Sequence, residues 1–215
     1  MKLLKKEFRL CVHPAAWMML ALGALILTPN YPYAVSFFYM TLGIFFICLS
    51  SRENHDAAYT LTLPVSRRDM VRGRVLLSCC LEGLDLAVCA AFIVLKNLIG
   101  GGKNAAGMDA NLALLGEGLL LFSLFHIIFF PAWYKDIAKV GKPFVAASAA
   151  VFLYIVLALV STYALPFVRD CLDTPDPAHL PEKLLFLLLS AGCYGLCTAL
   201  SIRWSARNFE ALDLQ

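Results

Sequence analysis

Residues 112–134 read LALLGEGLLLFSLFHIIFFPAWY, and this stretch decides the class of fold. Glu117 is its only residue with a formal charge when histidine is neutral. The run is long enough for a membrane crossing, because a helix needs about 20 apolar residues to span the hydrocarbon core. Lipid offers no hydrogen-bond partners to a bare backbone, so such a segment must be helical. The stretch therefore predicts a membrane-spanning α-helix.

The composition of the whole chain agrees with this prediction. Of 215 residues, 60% are hydrophobic and 15% are charged, whereas soluble domains carry about 25% charged residues. These values exclude a soluble globular protein, a disordered chain and a secreted disulfide scaffold. The net charge of +3 is too small to indicate a nucleic-acid partner. We expect one domain, residues 1–215, that is embedded in a lipid bilayer.

Further apolar runs extend the pattern to an all-α, polytopic membrane protein with six transmembrane helices. The predicted spans are 14–28, 33–50, 75–95, 112–134, 143–168 and 184–202. Residues 2–12 mix basic and apolar side chains, which predicts an N-terminal amphipathic helix that lies at the membrane interface.

The distribution of basic residues predicts the orientation of these spans. Of 18 Lys and Arg residues, four fall on one side, namely Lys96, Lys103, Arg169 and Lys183. The other side holds the remainder, and loops rich in Lys and Arg stay in the cytoplasm. Both termini and the loop 51–74 are therefore predicted to be cytoplasmic. The opposite loop, 169–183, is rich in acids and predicts a solvated segment, with recognition of a basic substrate as the alternative.

The loop 51–74, SRENHDAAYTLTLPVSRRDMVRGR, is the largest predicted cytoplasmic segment. Ser66 followed by Asp69 matches a helix-capping pattern and predicts a helix that begins at Arg67. Pro64 ends a short preceding helix near 53–60, because the residue before proline avoids helical geometry. If the arginines of this loop only anchored it at the membrane surface, the apolar side chains at 61, 63 and 65 would stay unexplained. These side chains fit a surface that docks on a protein partner.

Within this loop, LPVSRRDMV (63–71) and Glu53 ten residues earlier resemble the signature of a known family. They are similar to the small six-span permease subunits of type-2-class bacterial ABC exporters, a group that includes antimicrobial-peptide export and immunity permeases. Segments 131–141 and 201–209 resemble two further landmarks of that family. The chain departs from the pattern at Arg74, where lysine is usual, and at Leu76, where an aromatic residue is usual.

The resemblance implies a function and a set of partners. The chain would be the permease subunit of an ATP-driven exporter in the bacterial inner (plasma) membrane, paired with a second permease as a homodimer or heterodimer. It would move a peptide, drug-like or amphipathic substrate. ATP and Mg²⁺ would bind to separate ATP-binding subunits, so this chain would be neither an enzyme nor a cofactor-binding protein. The residues expected to contact the ATP-binding subunit are Glu53, Leu63, Pro64, Ser66, Arg67, Arg68 and Val71.

The sequence contains no motif for ATP binding or metal binding of its own. The string Gly100–Asn104 has the glycines and lysine of a phosphate-binding loop, but Asn97 and Asn104 replace its first glycine and its Ser or Thr. We therefore predict no catalytic residue and no metal site in this chain.

Four ionisable residues fall inside the predicted spans. Glu82 and Asp85 are three residues apart and share a helix face, and Glu117 and His126 lie in the next span. At 1.5 Å per residue, Glu82 and His126 have similar depths, so they can pair if their spans are neighbours. The four residues either line a translocation path or form structural hydrogen bonds between helices. An alternative function is an ion- or proton-coupled transporter that uses Glu82, Asp85 and His126.

Overall fold

The structure, a computed structural model, describes residues 2–100 and 102–212. This part of the chain is helical, with no β-strand in it. The helices are α1 (Lys2–Leu10), α2 (Pro14–Ala21) with a 3₁₀ extension (Leu22–Leu27), α3 (Ala34–Glu53), α4 (Asp56–Leu61), α5 (Arg67–Ile99), α6 (Leu112–Trp133), α7 (Gly141–Ala164) and α8 (Leu180–Glu210). A π-helical turn, Val168–Leu172, precedes α8. Gly101, in the string resembling a phosphate-binding loop, lies outside the described residues.

Five of the described helices are long and apolar enough to cross a membrane, namely α3, α5, α6, α7 and α8. The number rises to six if α1 and α2 with its extension form one broken span, because these two segments meet at a bend of 80°. The bend follows from the sequence, since Pro14 starts α2 and the His13 ring accepts a hydrogen bond from the Ala15 amide at 3.1 Å. The prediction of an all-α, multi-pass membrane protein is confirmed.

Helix α6 lies at the centre of the bundle and packs against α3, α5, α7 and α8. Its core face carries stacked phenylalanines, including Phe125 and Phe129 with ring centroids 4.8 Å apart. Its contact with α8 is close, because a Cβ atom at Gly116 would lie only 2.7 Å from the Phe186 ring. Helices α7 and α8 present long exposed apolar faces, as lipid-facing helices do.

The acidic loop before α8 is folded against the bundle, so the prediction of a solvated segment is wrong for Asp173. Asp173 is buried, and its Oδ1 accepts the Asp109 amide at 2.7 Å. Asp176 accepts the Leu112 amide at 3.0 Å and binds Lys183 at 2.8 Å. The amides at the start of a helix lack intrahelical hydrogen-bond partners. In α6, Asp176 of this loop supplies the partner for the amide of Leu112.

Candidate functional site

The connection between α3 and α5 contains the short helix α4, close to the predicted position. A left-handed residue, His55 with φ of 51°, turns the chain after α3, and Pro64 lies in the turn after α4. Ser66 then caps α5, because its Oγ accepts the Asp69 amide at 3.1 Å and donates to the Asp69 carboxylate at 2.6 Å. The prediction that a helix begins at Arg67 is confirmed.

Asp56, the first residue of α4, forms ion pairs with two other helices. Its carboxylate lies 2.5 Å from Nζ of Lys6 on α1 and 2.7 Å from Nη2 of Arg74 on α5. Ser51 on α3 donates to the same carboxylate at 3.3 Å. Burial alone would raise the pKa of Asp56, but the hydrogen bond from Lys6 and the charge of Arg74 outweigh it and hold the pKa below its ordinary value.

Arg74 is the buried centre of this arrangement, which we call the charged cluster: Lys6, Glu7, Asp56 and Arg74. The Arg74 side chain is 5% exposed, and its Nε lies 2.9 Å from the Glu7 carboxylate. The cluster holds two positive and two negative charges, so its burial leaves no net charge uncompensated. It joins α1, α4 and α5 into one unit.

This cluster was not predicted from the sequence, in which Arg74 was identified only as a departure from the family pattern. One signal was available. Arg74 falls between Val71, Val75 and Ser78 at helical spacing, and all four are buried on the core face of α5. A buried arginine requires an acidic partner, although the spacing does not show which acid supplies it.

Arg67 and Arg68 bind the end of α8. The Arg67 guanidinium donates to the carbonyls of Phe209 at 2.8 Å and Leu212 at 2.6 Å, and it lies 5.5 Å from the centroid of the Phe209 ring. Arg68 pairs with Glu210 at 2.6 Å. Carbonyls at a helix C-terminus lack partners and carry partial negative charge, which explains why arginine fits there. The first turn of α5 is thereby tied to the last turn of α8.

The remaining predicted contact residues divide by exposure. Glu53, before α4 in the chain, and Leu63, Pro64 and Ser66, after it, are all exposed. Val71 is fully buried in α5, so the interpretation of Val71 as a direct contact residue does not fit this conformation. Tyr59, which the sequence did not single out, is 59% exposed on α4.

A cavity of about 610 Å³ lies beside α4. Asp56 and Leu61 line it from the α4 side, and Trp133, Tyr134 and Phe209 line it from the ends of α6 and α8. The cavity lies between α4 and these ends of α6 and α8.

Within the bundle, Glu82 and His126 meet as their depths predict. The Nε2 atom of His126 lies 2.9 Å from the Glu82 carboxylate, and Nδ1 lies 3.0 Å from the hydroxyl of Thr198. Tyr194 donates to the second Glu82 oxygen at 2.5 Å. These hydrogen bonds connect α5, α6 and α8 in the buried interior.

Asp85 and Glu117 do not join that network. Asp85 is fully buried, and neither of its carboxylate oxygens has a hydrogen-bond partner in the described part of the chain. Glu117 is also buried, nine residues or roughly 13 Å along α6 from His126. A common translocation path through all four residues stays a prediction.

In the described part of the chain, two groups of side chains have ligand atoms close enough to hold a metal ion. In each of the sets Cys79–Glu82–His126 and Glu7–Cys11–Asp56, the potential ligand atoms lie within 4.8 Å of one another. The hydrogen bonds and ion pairs described above account for the carboxylates and the imidazole of both sets. Neither set is assigned as a metal site.

The fold and this site define a class: a multi-pass α-helical membrane protein with a folded, charged element between two spans at one end of the bundle. The chain belongs to the ABC-2 transporter family, because the family model described as ABC-2 family transporter protein matches residues 2–210. Membership makes it an ABC permease, a membrane component of transport that is not the catalytic subunit, and implies ABC transporter partners such as ATP-binding subunits. No curated protein and no solved structure matches the chain.

Proposed function

We propose that this chain is the membrane-spanning permease subunit of an ATP-driven bacterial exporter. Residues 1–215 act as a single permease domain in the plasma membrane, with both termini in the cytoplasm. The chain pairs with a second permease, identical or different, and moves a peptide, drug-like or amphipathic substrate, as antimicrobial-peptide export and immunity permeases do. ATP and Mg²⁺ bind to separate subunits. The observation that carries the proposal is α4, a helix exposed on one side and tied to two other helices on the other.

The ATP-binding subunit docks on the exposed surface around α4. Leu63 and Tyr59 provide apolar contact area there, with 38% and 59% of their surfaces exposed. Glu53, Pro64 and Ser66 border them. Exposed apolar side chains in a polar surround are typical of protein interaction sites. Arg68 contributes at the edge of this surface while it holds Glu210.

Movement of the ATP-binding subunit reaches the spans through the charged cluster. A displacement of α4 pulls on Lys6 and Arg74 through Asp56, and therefore moves α1 and the start of α5 together. Because α5 is a single helix of 33 residues, about 50 Å long, a tilt at its first turn is carried across the membrane. Arg67 passes the same movement to α8 through its bonds to the last carbonyls of that helix.

Leu63→Asp tests this proposal. The substitution places a charge in the apolar docking surface, and we expect loss of both co-purification with the cognate ATP-binding subunit and ATP-dependent transport in vesicles. The chain itself should fold, because Leu63 is exposed. The matched control is Leu165→Asp, at a leucine that is 52% exposed at the far end of the bundle. Charge reversal at Arg67 or Arg68 is less informative, since both residues also hold α8.

An intact complex and normal transport with Leu63→Asp would contradict the docking surface. Equal losses in Leu63→Asp and Leu165→Asp would show a general folding defect and would equally remove support for the proposal.

A second candidate function is ion- or proton-coupled transport through Glu82, Asp85 and His126. The observation that favours it is Asp85, a fully buried carboxyl with no hydrogen-bond partner in the described residues. Intramembrane carboxyls of this kind occur in proton relays. Transport by the purified chain in vesicles without an ATP-binding subunit, driven by a proton gradient and abolished by Asp85→Asn, would establish it. Strict dependence on the ATP-binding subunit would exclude it.

A further inference from the structure

We propose that the cleft between the first turns of α5 and the last turns of α8 binds the phosphate of an anionic phospholipid. A cavity of about 540 Å³ opens between the two helices there. Its walls carry four arginines: Arg68, Arg72, Arg203 and Arg207. The inference goes beyond the proposed function and is independent of it, because it requires only that the chain crosses a bilayer.

Arg203 and Arg207 form the α8 wall of the cleft. They are four residues apart and therefore share one face of the helix. Both are exposed, and in the described part of the chain neither has a carboxylate within 4 Å. Guanidinium groups bind phosphate oxygens through two parallel hydrogen bonds, so this pair is available for a phosphodiester.

Arg68 and Arg72 repeat the same spacing on α5. Arg68 is held by Glu210 at 2.6 Å, whereas Arg72 approaches Asp69 only at 3.8 Å. Two acids thus face four arginines, and the cleft keeps a surplus of positive charge. Basic pockets between transmembrane helices are typical sites for anionic lipid headgroups.

The cleft also fits the rest of a phospholipid. Its floor is small and apolar and consists of Ala199, Ile202 and Ala206. Trp204, the residue after Arg203, is 43% exposed, and exposed tryptophan is typical of the membrane–water interface. Leu196 is 63% exposed and lies seven residues, or two turns, before Arg203 on the same face. An acyl chain can lie along that face while the headgroup stays among the arginines.

Charge also argues against a second copy of this chain as the occupant. A symmetric contact through the cleft would place arginine against arginine, and such juxtaposition of like charges is costly. A free phosphate would satisfy the arginines but would leave the apolar floor uncovered. The phospholipid is the occupant that matches both surfaces.

The test measures lipid binding to the purified full-length chain by native mass spectrometry. Phosphatidylglycerol and phosphatidylcholine with identical acyl chains are compared, and glycerol phosphate serves as the soluble phosphate. The variant is Arg203→Gln with Arg207→Gln. The control is Lys135→Gln with Lys142→Gln, which removes the same charge from exposed positions just after α6 and in the first turn of α7. Melting temperatures check that both variants fold.

We expect the chain to prefer phosphatidylglycerol over phosphatidylcholine, and glycerol phosphate not to compete. The arginine variant should bind phosphatidylglycerol about 30-fold more weakly, as expected for two basic groups at an anionic lipid surface, and the lysine control should bind nearly as well as the parent chain. Equal weakening in both variants would overturn the site in favour of diffuse attraction. No lipid preference, or full competition by glycerol phosphate, would overturn the phospholipid as its ligand.

Discussion

At the scale of single residues, Asp56 holds the interaction on which the proposed mechanism depends. Its carboxylate meets Lys6 and Arg74 at ion-pair distances and so links α4 to α1 and to α5. Loss of one member of a buried group of charges is costly, because the others are left without a partner. Breaking an exposed ion pair costs little free energy, because water solvates both members after the pair is broken.

We predict that Asp56→Asn lowers the free energy of unfolding by about 2 kcal/mol, since it leaves Lys6 and Arg74 short of one negative charge. The measurement is the melting temperature in detergent. The matched control is Asp136→Asn, because Asp136 pairs with Lys139 at 2.6 Å but both side chains are exposed; we expect almost no change there. Equal melting temperatures for the two variants would contradict the structural role of Asp56.

The same comparison has a pH dependence of known sign. The pKa of Asp56 is lower in the folded chain than in the unfolded chain, so its contribution is fully present at neutral pH. It is lost as the pH falls below about 4 and through the lowered value. The stability difference between the parent chain and Asp56→Asn should therefore shrink on acidification.

Some of these side-chain contacts could be predicted from the sequence, and others could not. The Glu82–His126 pair could be predicted, because the rise of a helix fixes the depth of each residue once the spans are known. The partners of Arg74 could not, because they depend on how α1 and α4 fold back onto α5. Arg67 and Arg68 could be placed near a membrane edge, but their bonds to the end of α8 join residues more than 140 positions apart.

At the scale of helices, three elements are joined inside the bundle by one polar network. Glu82 on α5 meets His126 on α6 and Tyr194 on α8, and His126 also meets Thr198. Asp85 lies one turn further along α5 and makes no such contact in the described chain. Both acids are buried, but only the removal of Glu82 would leave other polar side chains without a hydrogen-bond partner.

We predict that Glu82→Leu lowers the free energy of unfolding by about 1–2 kcal/mol, because hydrogen bonds between membrane helices average about 0.6 kcal/mol and two are lost. Asp85→Leu should leave it unchanged or raise it, since a buried carboxyl without a partner is replaced by an apolar side chain. Melting temperature and folded yield in detergent measure both variants. A larger loss for Asp85→Leu than for Glu82→Leu would show that the structural network runs through Asp85.

Most helices could be predicted from apolar runs, but only some of their ends could be predicted. The starts of α5 and α6 follow from Ser66 and Asn111, which cap them. The folded acidic loop before α8 depends on long-range contacts. Asp173 and Asp176 look solvated in the sequence because nothing local shows that they bind the amides of Asp109 and Leu112, each 64 residues earlier.

At the scale of the whole molecule, the two ends of the bundle differ in construction. One end carries the charged cluster, the exposed surface around α4 and the arginine cleft, all held together by contacts between α1, α4, α5 and α8. The other end is closed by the folded acidic loop and by Lys96, whose amino group binds the Tyr33 hydroxyl. This asymmetry fits a transporter on which an ATP-binding subunit acts from one side of the membrane.

We propose that the surface around α4 contacts an ATP-binding subunit in the cytoplasm. Cross-linking in native membranes measures this contact. A photo-reactive amino acid is placed at Leu63 and, as the control, at Leu165 in the complete transporter. We predict a cross-link from position 63 to the ATP-binding subunit and none from position 165. A cross-link from position 165 with none from position 63 would contradict it.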